Sequence, residues 1–196
     1  MSMISNRKKA VFLPLTHIPA FDDAVMTFVQ NFLHNAFTDF IFPVITYLGE
    51  GGFIWILTAA VLLFFKKTRT TGVLVLVAML FTFVTGELLL KNLICRPRPC
   101  HLFPDIPLLV GRPDSFSFPS GHSASSFTAA VMLTLRHKKA WPALLLAAAI
   151  AFSRVFLFVH FPTDILAGAL LGTLFAFTVY FVFSKMIRTE KIKKHS

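Results

Sequence analysis

The chain predicts an all-α integral membrane bundle: about five transmembrane helices preceded by an N-terminal amphipathic helix lying in the interface. Three observations carry that expectation. Of 196 residues, 56% are apolar, 24 are phenylalanine, and the mean hydropathy is +0.72, well above the roughly 45–50% apolar content of soluble domains. Charged residues make up only 14%, and they gather in short runs between apolar stretches. Those stretches approach the about 20 residues that a helix needs to cross a hydrocarbon core of about 30 Å.

Residues 1–20 read as an N-terminal segment and 21–196 as a single membrane-embedded domain. Arg7-Lys8-Lys9 is followed by Pro14, His17 and Pro19 before an apolar core develops, so no cleavable signal peptide is expected. Residues 21–37 mix Asp22, Asp23, Gln30, Asn31, His34 and Asn35 with Val25, Phe28, Val29, Phe32 and Leu33 at helical offsets. This helix is too polar to span; it either lies in the interface or packs on the bundle. Residues 38–65 form the first crossing, broken at Gly49-Glu50-Gly51-Gly52 and stopped by Lys66, Lys67 and Arg69. Residues 71–90 form the second. Prolines at 97, 99, 104, 107 and 113 keep residues 93–117 from being helical throughout. The third span, 121–135, is short; 140–159 and 163–184 complete the set. No repeat and no low-complexity segment interrupts the pattern.

The formal net charge of +10 does not indicate nucleic acid, because no recognition motif accompanies it. Alternating spans put Lys66–Arg69, Arg136–Lys139 and the basic tail at 185–194 on one face. By the positive-inside rule that face is cytoplasmic, and the chain belongs in the cell (inner or plasma) membrane. Arg7-Lys8-Lys9 is the exception, falling on the opposite side when the spans are odd in number. Lys91 to His122 and Arg154 to Asp164 share the extracytoplasmic face. Cys95 and Cys100 lie there too; they either pair in an oxidising compartment or remain two free thiols, the commoner outcome. No metal-ligand spacing surrounds them.

The chemistry centres on Pro119-Ser120-Gly121-His122. Ser120 and Gly121 open a helix whose first N–H groups lack internal partners and meet the positive end of its dipole, a natural anion site. Lys91, Arg98 and Arg154 add cations, the arginines able to grip phosphate in a bidentate way. Arg154 is flanked by Ala149-Ile150-Ala151-Phe152 and Val155-Phe156-Leu157-Phe158; an arginine in such surroundings needs an anion. Two histidines suit a two-step displacement, one attacking phosphorus and the other protonating the leaving oxygen. His160, with Asp164 four residues on, suits the nucleophile, and His122 the acid. Each residue alone also has a structural explanation: a snorkelling lysine, a cap at Ser120 or Asp164, an interfacial histidine. Their convergence on one face favours a functional site; no metal has an obvious ligand set there, and no cofactor is expected. Glu87 either pairs with Lys91 one turn on or reads substrate, and pairing is favoured. Arg112 and Asp114, in the loop at 103–117, are candidates for headgroup selection.

Lys91-x6-Arg98-Pro99, Pro119-Ser120-Gly121-His122 and Ser153-Arg154-x5-His160-x3-Asp164 together resemble the three-part signature of the type 2 phosphatidic acid phosphatase superfamily. The resemblance covers residues 87–164 closely. It implies a metal-independent site near the outer membrane surface. There His160 would form a phosphohistidine oriented by Asp164, with His122 acting as acid and then as base. Lys91, Arg98, Ser120, Gly121 and Arg154 would bind phosphate. The substrate would be a lipid with a phosphate headgroup, such as undecaprenyl pyrophosphate, phosphatidylglycerol phosphate or phosphatidic acid. A phosphotransferase using the same intermediate and a non-catalytic anion transporter are the alternatives.

Overall fold

The structure, a computed structural model, describes residues 18–195, with side chains to residue 189. The expectations for Arg7-Lys8-Lys9, for a signal peptide and for the last basic residues of the tail lie outside these. The described residues are all helical, with no strand. Helix α1 (Ala20–Phe32) is followed by α2 (Ala36–Leu48), capped by Asn35, whose side chain accepts from the Phe37 and Thr38 amides. A break at Glu50–Gly52 leads into α3 (Phe53–Phe64). Helix α4 (Arg69–Phe83) runs on through a π-helical segment, Val84–Leu90, into α5 (Lys91–Ile94). A short α6 (Pro99–Leu102) begins the proline-rich loop, and α7 (Gly121–Arg136), α8 (Pro142–Phe156) and α9 (Pro162–His195) close the chain.

The protein is a multi-pass membrane bundle. Arg69–Leu102, Lys138–Phe156 and Pro162–Thr189 are each long and apolar enough to cross a membrane, and α2 with α3, bent by 43°, makes a fourth crossing when taken as one span. The expected third span, α7, lies at the centre of the bundle. At 16 residues, α7 is only about 24 Å long, and it packs against α4, α8 and α9. Its composition explains the placement: Ala124, Ser126, Thr128, Ala129 and Ala130 are buried small residues that let neighbours approach closely. Helix α9 answers with Gly168 and Gly172. A Cβ on Gly168 would come within 2.5 Å of the Ser120 carbonyl oxygen, and one on Gly172 would collide with that of Ala124.

Helix α1 packs on the bundle. Asp22, Met26 and Val29 are buried against α8 and α9, while Phe21, Phe28 and Phe32 face outward. The helix ends at Phe32, short of residue 37, because Asn35 caps the next one. Two apolar clusters result. One fills the bundle around Trp55, Ala78, Met132 and Ile150; the other joins α1 to the α8–α9 turn through Met26, Phe156, Phe158 and Phe161.

Candidate active site

Four irregular stretches meet at one end of α7: the Gly49–Gly52 break, the π-helical segment, the α7 N-terminus and the α8–α9 turn. Together they line a cavity of about 530 Å³ with Glu50, Glu87, Lys91, Ser115, Gly121, His122 and His160 at its polar end, and Ile56, Leu76, Met79, Leu80 and Phe83 along its apolar flank. Ile56 of α3 and Leu80 and Phe83 of α4 are among the exposed large apolar side chains. A π-helical turn beside a polar pocket is a common mark of a functional site.

His160 sits in the turn that separates α8 from Pro162. Its Nε2 accepts a hydrogen bond from Arg98 Nη1 at 2.9 Å. A guanidinium can only donate, so Nε2 carries the lone pair and the proton resides on Nδ1. That nitrogen lies 3.5 Å from Asp164 Oδ2 and 3.5 Å from Ser117 Oγ. The carboxylate is itself held on every side. Oδ2 accepts from Ser117 Oγ and, at 2.8 Å, from the Phe161 amide; Oδ1 accepts from Arg96 Nη1 at 2.6 Å. Arg96 lies over the Phe161 ring, 4.0 Å from its centroid, and its Nη2 binds Asp22 Oδ2 of α1 at 2.7 Å.

Burial pushes the His160 imidazole down to about 3 from an ordinary value of 6.5, against the hydrogen bond to Asp164, which raises it. The folded state therefore favours the neutral ring. Its contribution to stability is complete above about 6.5 and is lost as the pH falls toward about 3. Thermal unfolding in detergent is expected to shift to lower temperature as the pH drops through that window, and His160→Gln, which cannot take up the proton, is expected to flatten part of the fall.

Arg98 is fixed by Ser115, whose carbonyl oxygen accepts from Nε at 2.6 Å and whose Oγ accepts from Nη2 at 2.9 Å. Arg154, 5% exposed, donates from Nη1 to Thr46 Oγ1 at 2.7 Å. Its Nε is buried without a partner, a donor that an anion in the pocket would satisfy. Lys91 Nζ pairs with Glu87 at 2.8 and 2.7 Å, as the spacing of four residues favoured. Gly121 makes room for that pair, because a Cβ there would collide with Glu87 Oε1.

The structure thus brings Lys91, Arg98, Gly121, His122, Arg154, His160 and Asp164 together at one end of the bundle. Ser120 joins them differently. It is fully buried and caps α7, its Oγ accepting from the Ser123 amide at 3.4 Å and from Ser123 Oγ at 3.0 Å. Arg112 donates to the carbonyl oxygens of Cys100 and Pro104; it pins the loop and, like Asp114, does not line the cavity. Cys95 and Cys100 are free thiols. Among the described residues no group of three His, Cys, Asp or Glu is arranged to hold a metal. Sequence reasoning missed Glu50, Thr46, Asp22, Arg96, Ser115 and Ser117. Arg96 carried a signal, a second arginine two residues before Arg98, whereas Asp22 looked like the polar face of a surface helix.

The chain is 35% identical over 128 residues to an undecaprenyl-diphosphatase of Sulfolobus acidocaldarius, a match covering 64% of this chain and 61% of that protein. It is 35% identical over 161 residues to the phosphatidylglycerophosphatase B of Bacillus subtilis, covering 74% and 69%. Among solved structures, a transmembrane PAP2-type phosphatidylglycerolphosphate phosphatase from Bacillus subtilis superposes with a TM-score of 0.70 at 30% identity, over 86% of this chain and 89% of that one. The family model of the PAP2 superfamily matches residues 71–188, which hold every charged and histidine residue of the predicted signature, and the chain belongs to that superfamily.

Proposed function

We propose that the chain is a lipid phosphatase that works through a phosphohistidine on His160 without a metal, with its site on the extracytoplasmic side of the cell membrane. One observation carries the reading: His160 presents an Nε2 lone pair beside Arg98 with its other nitrogen toward Asp164, while His122 lines the same cavity. Nε2 attacks phosphorus, the bond from phosphorus to the leaving oxygen breaks, and His122 supplies that oxygen with a proton. Water then gives a proton to His122 and attacks the phosphohistidine, freeing inorganic phosphate and restoring His160. Lys91, Arg98 and the buried Nε of Arg154 draw the phosphate oxygens, aided by the backbone N–H groups that begin α7. Ser120 contributes by fixing that helix end.

The apolar flank between α3 and α4 supports a substrate with a long hydrocarbon chain lying in the bilayer, of the class to which undecaprenyl pyrophosphate, phosphatidylglycerol phosphate and phosphatidic acid belong. A single-turnover reaction with each of these, ³²P-labelled, tests the proposal. The expected result is a transient protein-bound label that is lost in acid and survives base. Phosphate release with no such label, in quenches faster than turnover, would overturn the covalent route.

A further inference from the structure

His122 stands among cations. Lys91, from the extension of α4, and His160, from the α8–α9 turn, line the cavity with it; Arg98, from the turn after α5, is bonded to His160, and Arg154 comes from α8. A proton on His122 would be disfavoured by all three charged groups, yet an acid must hold one. The carboxylates nearby are mostly committed. Glu87 binds Lys91 through both oxygens, and Asp164 serves Ser117, Phe161 and Arg96.

Glu50 is different. Its Oε2 lies 3.5 Å from His122 Nε2, and that nitrogen is buried with no hydrogen bond. The Glu50 side chain is 66% exposed, within the open cavity, and makes no hydrogen bond among the described residues. The backbone puts it there. Gly51 and Gly52 take φ of 56° and 73°, left-handed values that favour glycine, so the broken span turns its carboxylate inward. Gly49 seats the turn on the imidazole itself, since a Cβ there would come within 2.5 Å of Ile150 and 3.0 Å of His122 Cδ2.

We infer that Glu50 is a positioning residue that orients His122 and holds its proton, making a second carboxylate–imidazole pair beside that of Asp164 and His160. The inference rests on the acid role proposed for His122. An opposite charge at this range favours the protonated ring; once the leaving oxygen has taken the proton, the same carboxylate makes His122 a better base toward water. A break in a membrane span, placed where it can only cost helix hydrogen bonds, thereby acquires a chemical purpose.

The test follows kcat/KM against pH for purified protein in detergent, with phosphatidic acid and with p-nitrophenyl phosphate, whose leaving group departs without protonation. Because activity with the lipid needs His122 protonated, it falls as the pH rises through that group's pKa. Glu50→Gln, nearly isosteric and projecting into open space, is expected to move this basic limb down by about one pH unit and to lower the rate on its plateau by about tenfold. Glu50→Asp should recover part of both. With p-nitrophenyl phosphate the loss should be under about threefold, since little proton transfer is required. A basic limb that stays in place in Glu50→Gln, or an equal loss on both substrates, would overturn the inference. His122→Ala separates it from the parent reading. If kcat/KM, which reports only the steps up to departure of the leaving group, falls alike for lipid and aryl phosphate in that variant, the acid role itself fails. If His122→Ala is selective and Glu50→Gln is silent, only the assignment of Glu50 fails.

Discussion

Replacing His160 by alanine is expected to lower lipid phosphate turnover by about a million-fold, to the level left by binding alone, with no protein-bound phosphate at any time. The size follows from what the ring does in the proposed reaction: it supplies the lone pair that attacks phosphorus, from an Nε2 held beside Arg98. Lys91 is tied to Glu87, and His122 lies beside Glu50. The fold is expected to persist. His160 contacts its surroundings through Arg98, Ser117 and Asp164, and Arg98 keeps its bonds to Val159 and Ser115. Phosphate release and acid-labile label, measured beside the helical circular dichroism, check both halves. Residual turnover within about tenfold of the parent protein would remove His160 from the reaction.

The second large effect belongs to Asp164→Asn. An amide keeps the shape, but it can no longer accept from Arg96, Ser117 and Phe161 as a charge, and it can turn its NH₂ toward His160 Nδ1. That would hold the ring in the wrong tautomer, with the proton on the attacking nitrogen. The corresponding change in other histidine–carboxylate pairs costs about 10,000-fold in kcat, and a similar loss is expected here with KM little altered. Stability should fall as well, because Arg96 would keep only the charge of Asp22. A loss under about tenfold would reduce Asp164 to a helix cap.

Much of this site was legible in the sequence for one reason. Arg154 amid apolar neighbours, or Lys91 at the end of a span, is costly unless it has work to do, so such residues announce themselves singly and their parity places them together. Partners that are neither costly nor adjacent stay hidden. Ser115 and Ser117 look like loop serines until the chain folds Arg98 and Asp164 onto them. Glu50 sits in a Gly-rich break that reads as a helix interruption, and only the packing of Gly49 on His122 reveals its direction. The membrane layout was legible where length and hydropathy agree. It was less so for α7, whose small buried residues give it a central place that hydropathy alone does not report, and for α1, where Asp22 looked solvated and is buried.

Asp22 has a consequence beyond its own helix. It belongs to a segment that touches no part of the cavity, yet it grips Arg96 and also accepts from the Thr163 amide and hydroxyl at 2.8 and 2.6 Å, clasping the start of α9 just before Asp164. The front of the chain is thus a brace for the chemistry at its back. Trimming the protein past residue 22, or tugging α1 off the bundle with a bulky fusion, would leave a guanidinium with half its anchorage and let the reactive imidazole drift.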